Sequence, residues 1–122
     1  KLYGYLTECY YNGFGVTKNY ALAAKWARKG VELDDANSQN YLGLMYYDGK
    51  GGVSQNYYQA VRYFRLAANQ ELAAGQYNLG MCYYYGYGVE EDESEAIKWF
   101  KSSAELGYES AKEALDELGI EY

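Results

Sequence analysis

Apolar and small residues recur along this chain at the spacing of one helix face. One such set occupies positions i, i+3, i+4, i+7 and i+8, and it consists of Ala60, Tyr63, Phe64, Ala67 and Ala68. A second set, made of Gly75, Leu79, Cys82 and Tyr83, also keeps helical spacing. This periodicity is typical of amphipathic α-helices. Because the two kinds of set alternate, we predict alternating helices of two types, which we call A and B.

A motif rich in leucine, tyrosine and glycine occurs three times. It begins at Leu6, Leu42 and Leu79, which lie 36 and 37 residues apart, and the middle copy contains one additional residue near Lys50 or Gly51. A fixed period of this length indicates stacked supersecondary units. The pattern therefore predicts an all-α solenoid with repeats at 1–35, 36–72 and 73–108, followed by a capping helix within 109–122.

Glycines and N-cap residues predict where the helices begin and end. Each helix A is expected to end at a left-handed glycine, and a second glycine lets the chain reverse before a valine returns to the core. These sets are Gly13, Gly15 and Val16; Gly49, Gly52 and Val53; and Gly86, Gly88 and Val89. Each helix B begins at a good N-cap residue, namely Asn19, Asn56 or Asp92. The predicted helices span 2–11, 19–33, 36–47, 56–70, 73–84, 92–106 and 109–118.

Four consecutive acidic residues, Glu90 to Glu93, surround the start of the third helix B. Asp92 with Glu95 three residues later resembles a capping box, and negative charge stabilises the positive end of a helix dipole. We interpret the acidic run as helix capping. The alternative is a site for a cation or for a basic partner.

These residues together resemble the Sel1-like repeat, a member of the tetratricopeptide-like α/α superfamily. The third repeat carries the pattern best, through Leu79, Gly80, Tyr83, Gly86, Gly88, Val89, Asp92, Ala96, Trp99, Phe100 and Ala104. The resemblance covers nearly the whole chain and implies a right-handed superhelix of helix–turn–helix repeats. Thr7, Ala27 and Gly75 depart from the pattern, and we expect them to loosen the packing locally.

The two ends of the chain differ. Leu2 aligns two residues into a repeat, and the chain starts at Lys1 without a methionine, so we expect further repeats to precede it in a longer protein. At the other end, Ala111 and Leu115 continue the apolar face of a helix A, while the remaining positions are largely charged. A solenoid needs a terminal element with a polar outer face. We therefore predict that the last helix is a cap.

Charge and composition narrow the possible functions. The chain has 11 Lys and Arg against 17 Asp and Glu, for a net charge of −6, which argues against nucleic-acid binding and against an anionic membrane surface. No apolar stretch approaches the roughly 20 residues of a membrane span. The absence of histidine removes His-based catalysis and His-ligated metal sites. We expect a non-enzymatic protein without cofactors.

The only cysteines are Cys9 and Cys82, which occupy equivalent positions two repeats apart. Because neighbouring helices pack about 8–10 Å apart, the two Cα atoms should lie beyond the roughly 7 Å limit for a disulfide. We predict two reduced thiols that are buried in the core.

Paired tyrosines lie near the end of every helix A. Neighbouring residues on a helix point about 100° apart, so only the first tyrosine of each pair can face the core. The superfamily resemblance places the second tyrosine, with residues one and two turns earlier, in a concave groove lined by A helices. The candidate partner-binding residues are Tyr11, Leu44, Tyr47, Tyr77, Met81 and Tyr84, rimmed by Glu8, Asn40 and Asp48. The alternative is that these tyrosines cover a helix face or pack laterally. If they form the groove, stability should depend little on Tyr47 and Tyr84.

Basic residues recur at two equivalent positions on each helix B. They are Lys25, Arg62 and Lys98 at the first position, and Arg28, Arg65 and Lys101 at the second. Stacked repeats would align them as a stripe, which we call the basic ladder. Two interpretations stay open: solvated residues that pair with nearby carboxylates, or a surface for an acidic partner.

The resemblance implies a function as an adaptor or scaffold. We expect a monomeric protein–protein interaction module that binds a protein or peptide segment in the groove. The alternative comes from secreted, cysteine-rich members of the family, which have been associated with binding of β-lactams or cell-wall fragments. Those members carry paired cysteines in each repeat, whereas this chain has one cysteine in two of its three repeats.

Overall fold

Seven α-helices and no strands make up the computed structural model, which describes all 122 residues. The helices are α1 Leu2–Asn12, α2 Tyr20–Glu32, α3 Ala36–Asp48, α4 Tyr57–Asn69, α5 Ala73–Tyr85, α6 Glu93–Glu105 and α7 Glu109–Glu117. Every boundary lies within one residue of its prediction. The all-α prediction is confirmed.

Each helix packs mainly against its neighbours in sequence. Helices α1 and α2, α3 and α4, and α5 and α6 form antiparallel pairs, and each pair packs on the next through α2 with α3, α4 with α5 and α6 with α7. Helix α1 also contacts α3. Helices α1, α3, α5 and α7 are therefore the A type, and α2, α4 and α6 are the B type. This nearest-neighbour packing is that of a solenoid.

The three N-cap predictions are confirmed. The side-chain oxygens of Asn19, Asn56 and Asp92 accept hydrogen bonds from backbone N–H groups three residues later, at 3.0, 3.1 and 3.1 Å. Of the two reciprocal hydrogen bonds of the predicted capping box, only the one accepted by the Asp92 side chain is present. The backbone N–H of Asp92 donates to the carbonyl of Tyr83 at 2.9 Å rather than to the side chain of Glu95. Equivalent bonds join Asn19 to Tyr10 and Asn56 to Tyr46. These bonds tie each helix B to its helix A.

The helix-ending glycines adopt the predicted left-handed conformation, with φ of 76°, 69° and 75° at Gly13, Gly49 and Gly86. The assignment of the second glycine in repeat two was wrong. A Cβ at Gly51 would lie 3.0 Å from the carbonyl oxygen of Tyr20, whereas a Cβ at Gly52 would meet nothing within 4 Å. Gly88 approaches the carbonyl of the equivalent Tyr57 in the same way. Gly51 is thus the structural counterpart of Gly88, and Gly52 is the inserted residue.

The expected loosening was wrong at Gly75 and stays a prediction at Thr7 and Ala27. Thr7 and Ala27 are both fully buried. The third repeat has Gly80 and Phe100 at these positions, so α1 carries the larger residue of the two repeats and α2 carries the smaller one. At Gly75 a Cβ would lie 2.8 Å from the Cβ of Ala67. Glycine is therefore needed at this position because α5 approaches α4 closely.

The predicted valines behave differently from one repeat to the next. Val53 and Val89 pack against the core clusters, as expected. Val16 is 40% exposed, because no helix pair precedes the first turn. The prediction that Val16 returns to the core was therefore wrong.

Both cysteines are free and buried, as predicted. Cys82 lies in a cluster with Phe64 and Leu79, which are fully buried. Burial raises the pKa of the Cys82 thiol to about 12. The thiol is therefore protonated at neutral pH.

Helix α7 packs its apolar side on the third repeat. Ala111 and Leu115 are fully buried there with Phe100 of α6, while Glu113 and Glu117 are exposed. None of the seven helices has the length and apolar character that crossing a membrane requires.

Candidate functional site

Two adjoining cavities open between the A-type helices. The first has a volume of about 200 Å³ and is lined by Leu44, Tyr47, Phe64, Tyr77, Asn78 and Met81. The second has about 210 Å³ and is lined by Tyr77, Met81, Tyr84, Tyr85, Phe100, Ser110, Glu113, Ala114, Glu117 and Leu118. Both cavities share Tyr77 and Met81 and therefore adjoin, and we call the two together the groove.

Glycines on the A-type helices determine the depth of the groove. A Cβ at Gly43 would lie 2.6 Å from the Phe64 ring, and a Cβ at Gly80 would lie 2.8 Å from the Phe100 ring. Both separations are far below the ordinary carbon–carbon contact of about 3.5–4.0 Å. Only glycine allows the two rings to pack directly on the A-type helix backbones, where they contribute to the groove lining.

Five of the six candidate groove residues line these cavities, namely Leu44, Tyr47, Tyr77, Met81 and Tyr84. Tyr11 lies apart from them. Its ring packs against Tyr20 and Tyr41, with centroids 5.1 and 5.0 Å away. Burial, followed by the charge of Asp48, raises the pKa of Tyr11.

Tyr47 is a packing residue as well as a lining residue. Its ring centroid lies 5.3 Å from that of Tyr57, 6.5 Å from Phe64 and 5.8 Å from Tyr87. Since Tyr57 belongs to repeat two and Tyr87 to repeat three, Tyr47 joins the two repeats. The expectation that stability depends little on Tyr47 is therefore corrected.

None of the three residues predicted for the rim, Glu8, Asn40 and Asp48, lines either cavity. Asn40 is 5% exposed and accepts a hydrogen bond from Asn78 Nδ2 at 2.9 Å, so it is buried between α3 and α5. Asp48 is exposed, and Glu8 is half-buried.

The residues that α7 contributes to the groove were missed. Glu113 and Glu117 lie 36 residues after Tyr77 and Met81, so they occupy the same positions on the next A-type helix. The prediction that Leu115 continues the apolar face of a helix A already implies this register, because Leu115 lies 36 residues after Leu79. Extending it to the polar positions of α7 would have predicted both glutamates.

The basic ladder contacts aromatic rings. Lys25 lies over Trp26 at 5.2 Å and Arg62 over Tyr63 at 5.1 Å from the ring centroids. Arg65 donates from Nη2 to the Tyr83 hydroxyl at 3.0 Å.

The remaining ladder residues, Arg28, Lys98 and Lys101, are exposed, and no member of the ladder forms an ion pair. The interpretation that these cations pair with carboxylates was therefore wrong. At the acidic run, Asp92 is the N-cap of α6, and no group of three or more acidic, Cys or His side chains is arranged to hold a metal ion.

The sequence model of the Sel1 repeat matches residues 2–35, 36–72 and 73–108. The chain belongs to the Sel1 repeat family. Sel1 repeats are generally protein–protein interaction modules that bind protein partners, and proteins built from them are typically non-catalytic scaffolds. None of the curated proteins compared with this Sel1 repeat chain matches it.

Solved Sel1 repeat structures resemble this one. A Sel1 repeat protein from Oxalobacter formigenes is 34% identical with a TM-score of 0.77, over 89% of this chain and 44% of that protein. A protective antigen of uropathogenic Escherichia coli with an SLR fold is 33% identical with a TM-score of 0.81, over 97% of this chain and 26% of the antigen. The present chain thus spans less than half the length of either protein.

A third solved structure is closer in size. Helicobacter pylori cysteine rich protein B is 27% identical with a TM-score of 0.75, over 91% of this chain and 90% of that protein. The present chain contains two cysteines, Cys9 and Cys82, and both are free.

Proposed function

We propose that this chain is a non-enzymatic adaptor whose groove binds an extended or helical segment of a protein partner. The observation that carries the proposal is a pair of adjoining cavities, of about 200 and 210 Å³, that share Tyr77 and Met81 in their linings. Concave apolar surfaces with a few polar groups are the usual binding sites of proteins. Exposed tyrosine and methionine provide contact area at low ordering cost.

The proposal concerns a monomer that binds protein rather than nucleic acid. The net charge of −6 disfavours contacts with phosphates. The β-lactam or cell-wall-fragment alternative is less well supported, because the two cysteines are buried and unpaired in separate repeats. That leaves the paired cysteines of the cysteine-rich members without a counterpart.

Met81 provides the sharpest test because it lines both cavities. Peptides selected from a displayed random library on the purified chain serve as probes, and their Kd values are measured by fluorescence anisotropy. Met81→Gln keeps the side-chain length and removes its apolar character. We expect it to weaken binding by about 1–2 kcal/mol or more.

Tyr58→Ala is the matched control, since Tyr58 is 78% exposed on α4 and lines neither cavity. It should leave the Kd unchanged. If Met81→Gln binds the selected peptides as tightly as the unmodified chain does, while both variants unfold at similar urea concentrations, the groove is not the binding site.

A further inference from the structure

The groove carries negative charge and no positive charge. Glu113 and Glu117 line its second cavity, and no Lys or Arg lines either cavity. Neither carboxylate takes part in an ion pair. The two glutamates are four residues apart on α7, where like charges repel each other. A cation placed between them would relieve this repulsion.

Tyrosines along the A-type helices lie in the same negative field. Burial is the largest cause of the raised pKa of Tyr77, and the charges of Glu113 and Glu117 raise it further. Burial and neighbouring tyrosines raise the pKa of Tyr47 to about 12, with a contribution from Asp48. The carboxylates that line the groove are thus those of Glu113 and Glu117, at its α7 side, while Asp48 lies near Tyr47 without lining either cavity.

The cations of the chain are directed elsewhere. Arg62 and Arg65 lie over the rings of Tyr63 and Tyr83. The one lysine of α7, Lys112, pairs with Glu109 at 3.6 Å. No basic side chain of this protein therefore neutralises the groove glutamates.

The cavity beside these glutamates has room for an apolar side chain. Its volume is about 210 Å³, and its lining includes Tyr77, Met81 and Phe100. An apolar cavity of about 150 Å³ is large enough to bind benzene. One aromatic or large aliphatic side chain therefore fits, with the two carboxylates at its edge.

We propose that the partner is a basic segment, in which an apolar side chain enters the cavity between α5 and α7 and a neighbouring Lys or Arg contacts Glu113 and Glu117. This inference rests on the proposed function and adds the chemistry of the partner. The groove thus selects apolar anchors flanked by positive charge and disfavours acidic segments, since like charges facing each other oppose binding.

The test uses short random peptides displayed on phage, sorted separately against the full chain and against Glu113→Gln/Glu117→Gln. The matched control is Glu90→Gln/Glu91→Gln, which removes the same charge from residues that line neither cavity of the groove. Kd values of the enriched peptides are then measured at about 0.1 M and about 1 M salt, between which the Debye length falls from about 10 to 3 Å.

We expect the full chain and the control to enrich peptides with Lys or Arg beside an aromatic or aliphatic residue. These peptides should bind Glu113→Gln/Glu117→Gln about 2- to 30-fold more weakly, as two exposed charge contacts predict, and the difference should shrink at high salt. If the enriched peptides are neutral or acidic and their binding still depends on Met81, the proposal of a basic partner is wrong, whereas the proposal that the groove binds a peptide segment is retained. Peptides that ignore both Met81 and the two glutamates overturn both proposals.

Discussion

Replacing Gly80 by alanine tests the close approach of the two helices in the third repeat. The new Cβ would lie 2.8 Å from Cδ1 and Cε1 of Phe100 and 3.3 Å from the carbonyl oxygen of Ala96. Phe100 is 1% exposed and belongs to a cluster with Leu115. The ring also borders the second cavity of the groove, so it can move away from the new Cβ only by giving up part of its contacts in this cluster.

Two opposing effects set the magnitude. Glycine in a helix interior is less stable than alanine by roughly 0.5–1 kcal/mol, so the substitution would stabilise an uncrowded helix by that amount. Overpacking of a filled core costs about 1–3 kcal/mol. We therefore expect Gly80→Ala to lower the free energy of unfolding by up to about 2.5 kcal/mol.

A double-mutant cycle with Phe100→Ala separates these effects. Phe100→Ala alone should cost about 3–5 kcal/mol, so urea melts are best recorded near 10 °C, where domains of this kind are close to maximal stability. Once the ring is absent, Gly80→Ala should raise the free energy of unfolding by about 0.5–1 kcal/mol. The sign of the glycine effect thus reverses between the two backgrounds.

If Gly80→Ala changes stability by the same amount in both backgrounds, within about 0.5 kcal/mol, the close contact between ring and glycine is refuted. The first repeat has the opposite combination of side-chain sizes at these two positions. Thr7 stands at the position of Gly80 and Ala27 at the position of Phe100, and both are fully buried.

Three further outcomes are expected. Leu79→Ala should cost about 2–5 kcal/mol in urea melts, because Leu79 is fully buried; a loss below about 1 kcal/mol contradicts the repeat register. Burial raises the pKa of Cys82 from 9.0 to about 12, so the folded state keeps a proton that the unfolded state releases, and stability should fall as pH rises from about 9 towards 12. The free energy of unfolding, measured by urea melts across this pH range, should fall less steeply with pH for Cys82→Ala; equal pH dependences of the two proteins count against a buried thiol. Tyr47→Ala should cost about 1–3 kcal/mol through its lost ring contacts, whereas exposed Tyr58→Ala should stay within about 0.5 kcal/mol; equal melts for the two contradict the packing of Tyr47.

Local signals were sufficient to predict the helices from the sequence. Each turn from an A-type to a B-type helix contains a glycine that adopts positive φ and a side chain that caps the next helix, as at Gly86 and Asp92. Three copies of the same signals remove most of the ambiguity of any single copy. Contacts between repeats were not predictable in this way. The choice between Gly51 and Gly52 depends on which of them approaches Tyr20 of the preceding repeat, and two adjacent glycines look alike in a sequence.

The sequence predicts which residues share the groove face of the A-type helices, but not which residues of the neighbouring repeats they contact. Helical periodicity places Tyr47 and Met81 on the same side of the A-type helices, and both line the groove. Periodicity does not report that Tyr87 of the next repeat packs on Tyr47, or that Asn78 donates to Asn40. Both contacts depend on how far one repeat is rotated relative to the next, and this rotation follows from packing across many residues.

The packing of the tyrosines determines which residues can report on binding. Tyr47 joins repeats two and three, and Tyr77 packs on Phe100 and Tyr108, so removing either ring changes the relative position of the helices that form the groove. A loss of partner affinity in such a variant would combine a lost contact with an altered groove shape. Met81 is likewise half-buried and packs against the core cluster of the third repeat, so a changed Kd at Met81 has to be read together with the urea melt of the same variant. Glu113 and Glu117 are exposed, so binding and stability are separable at these two residues, where a changed Kd can be attributed to the partner contact itself.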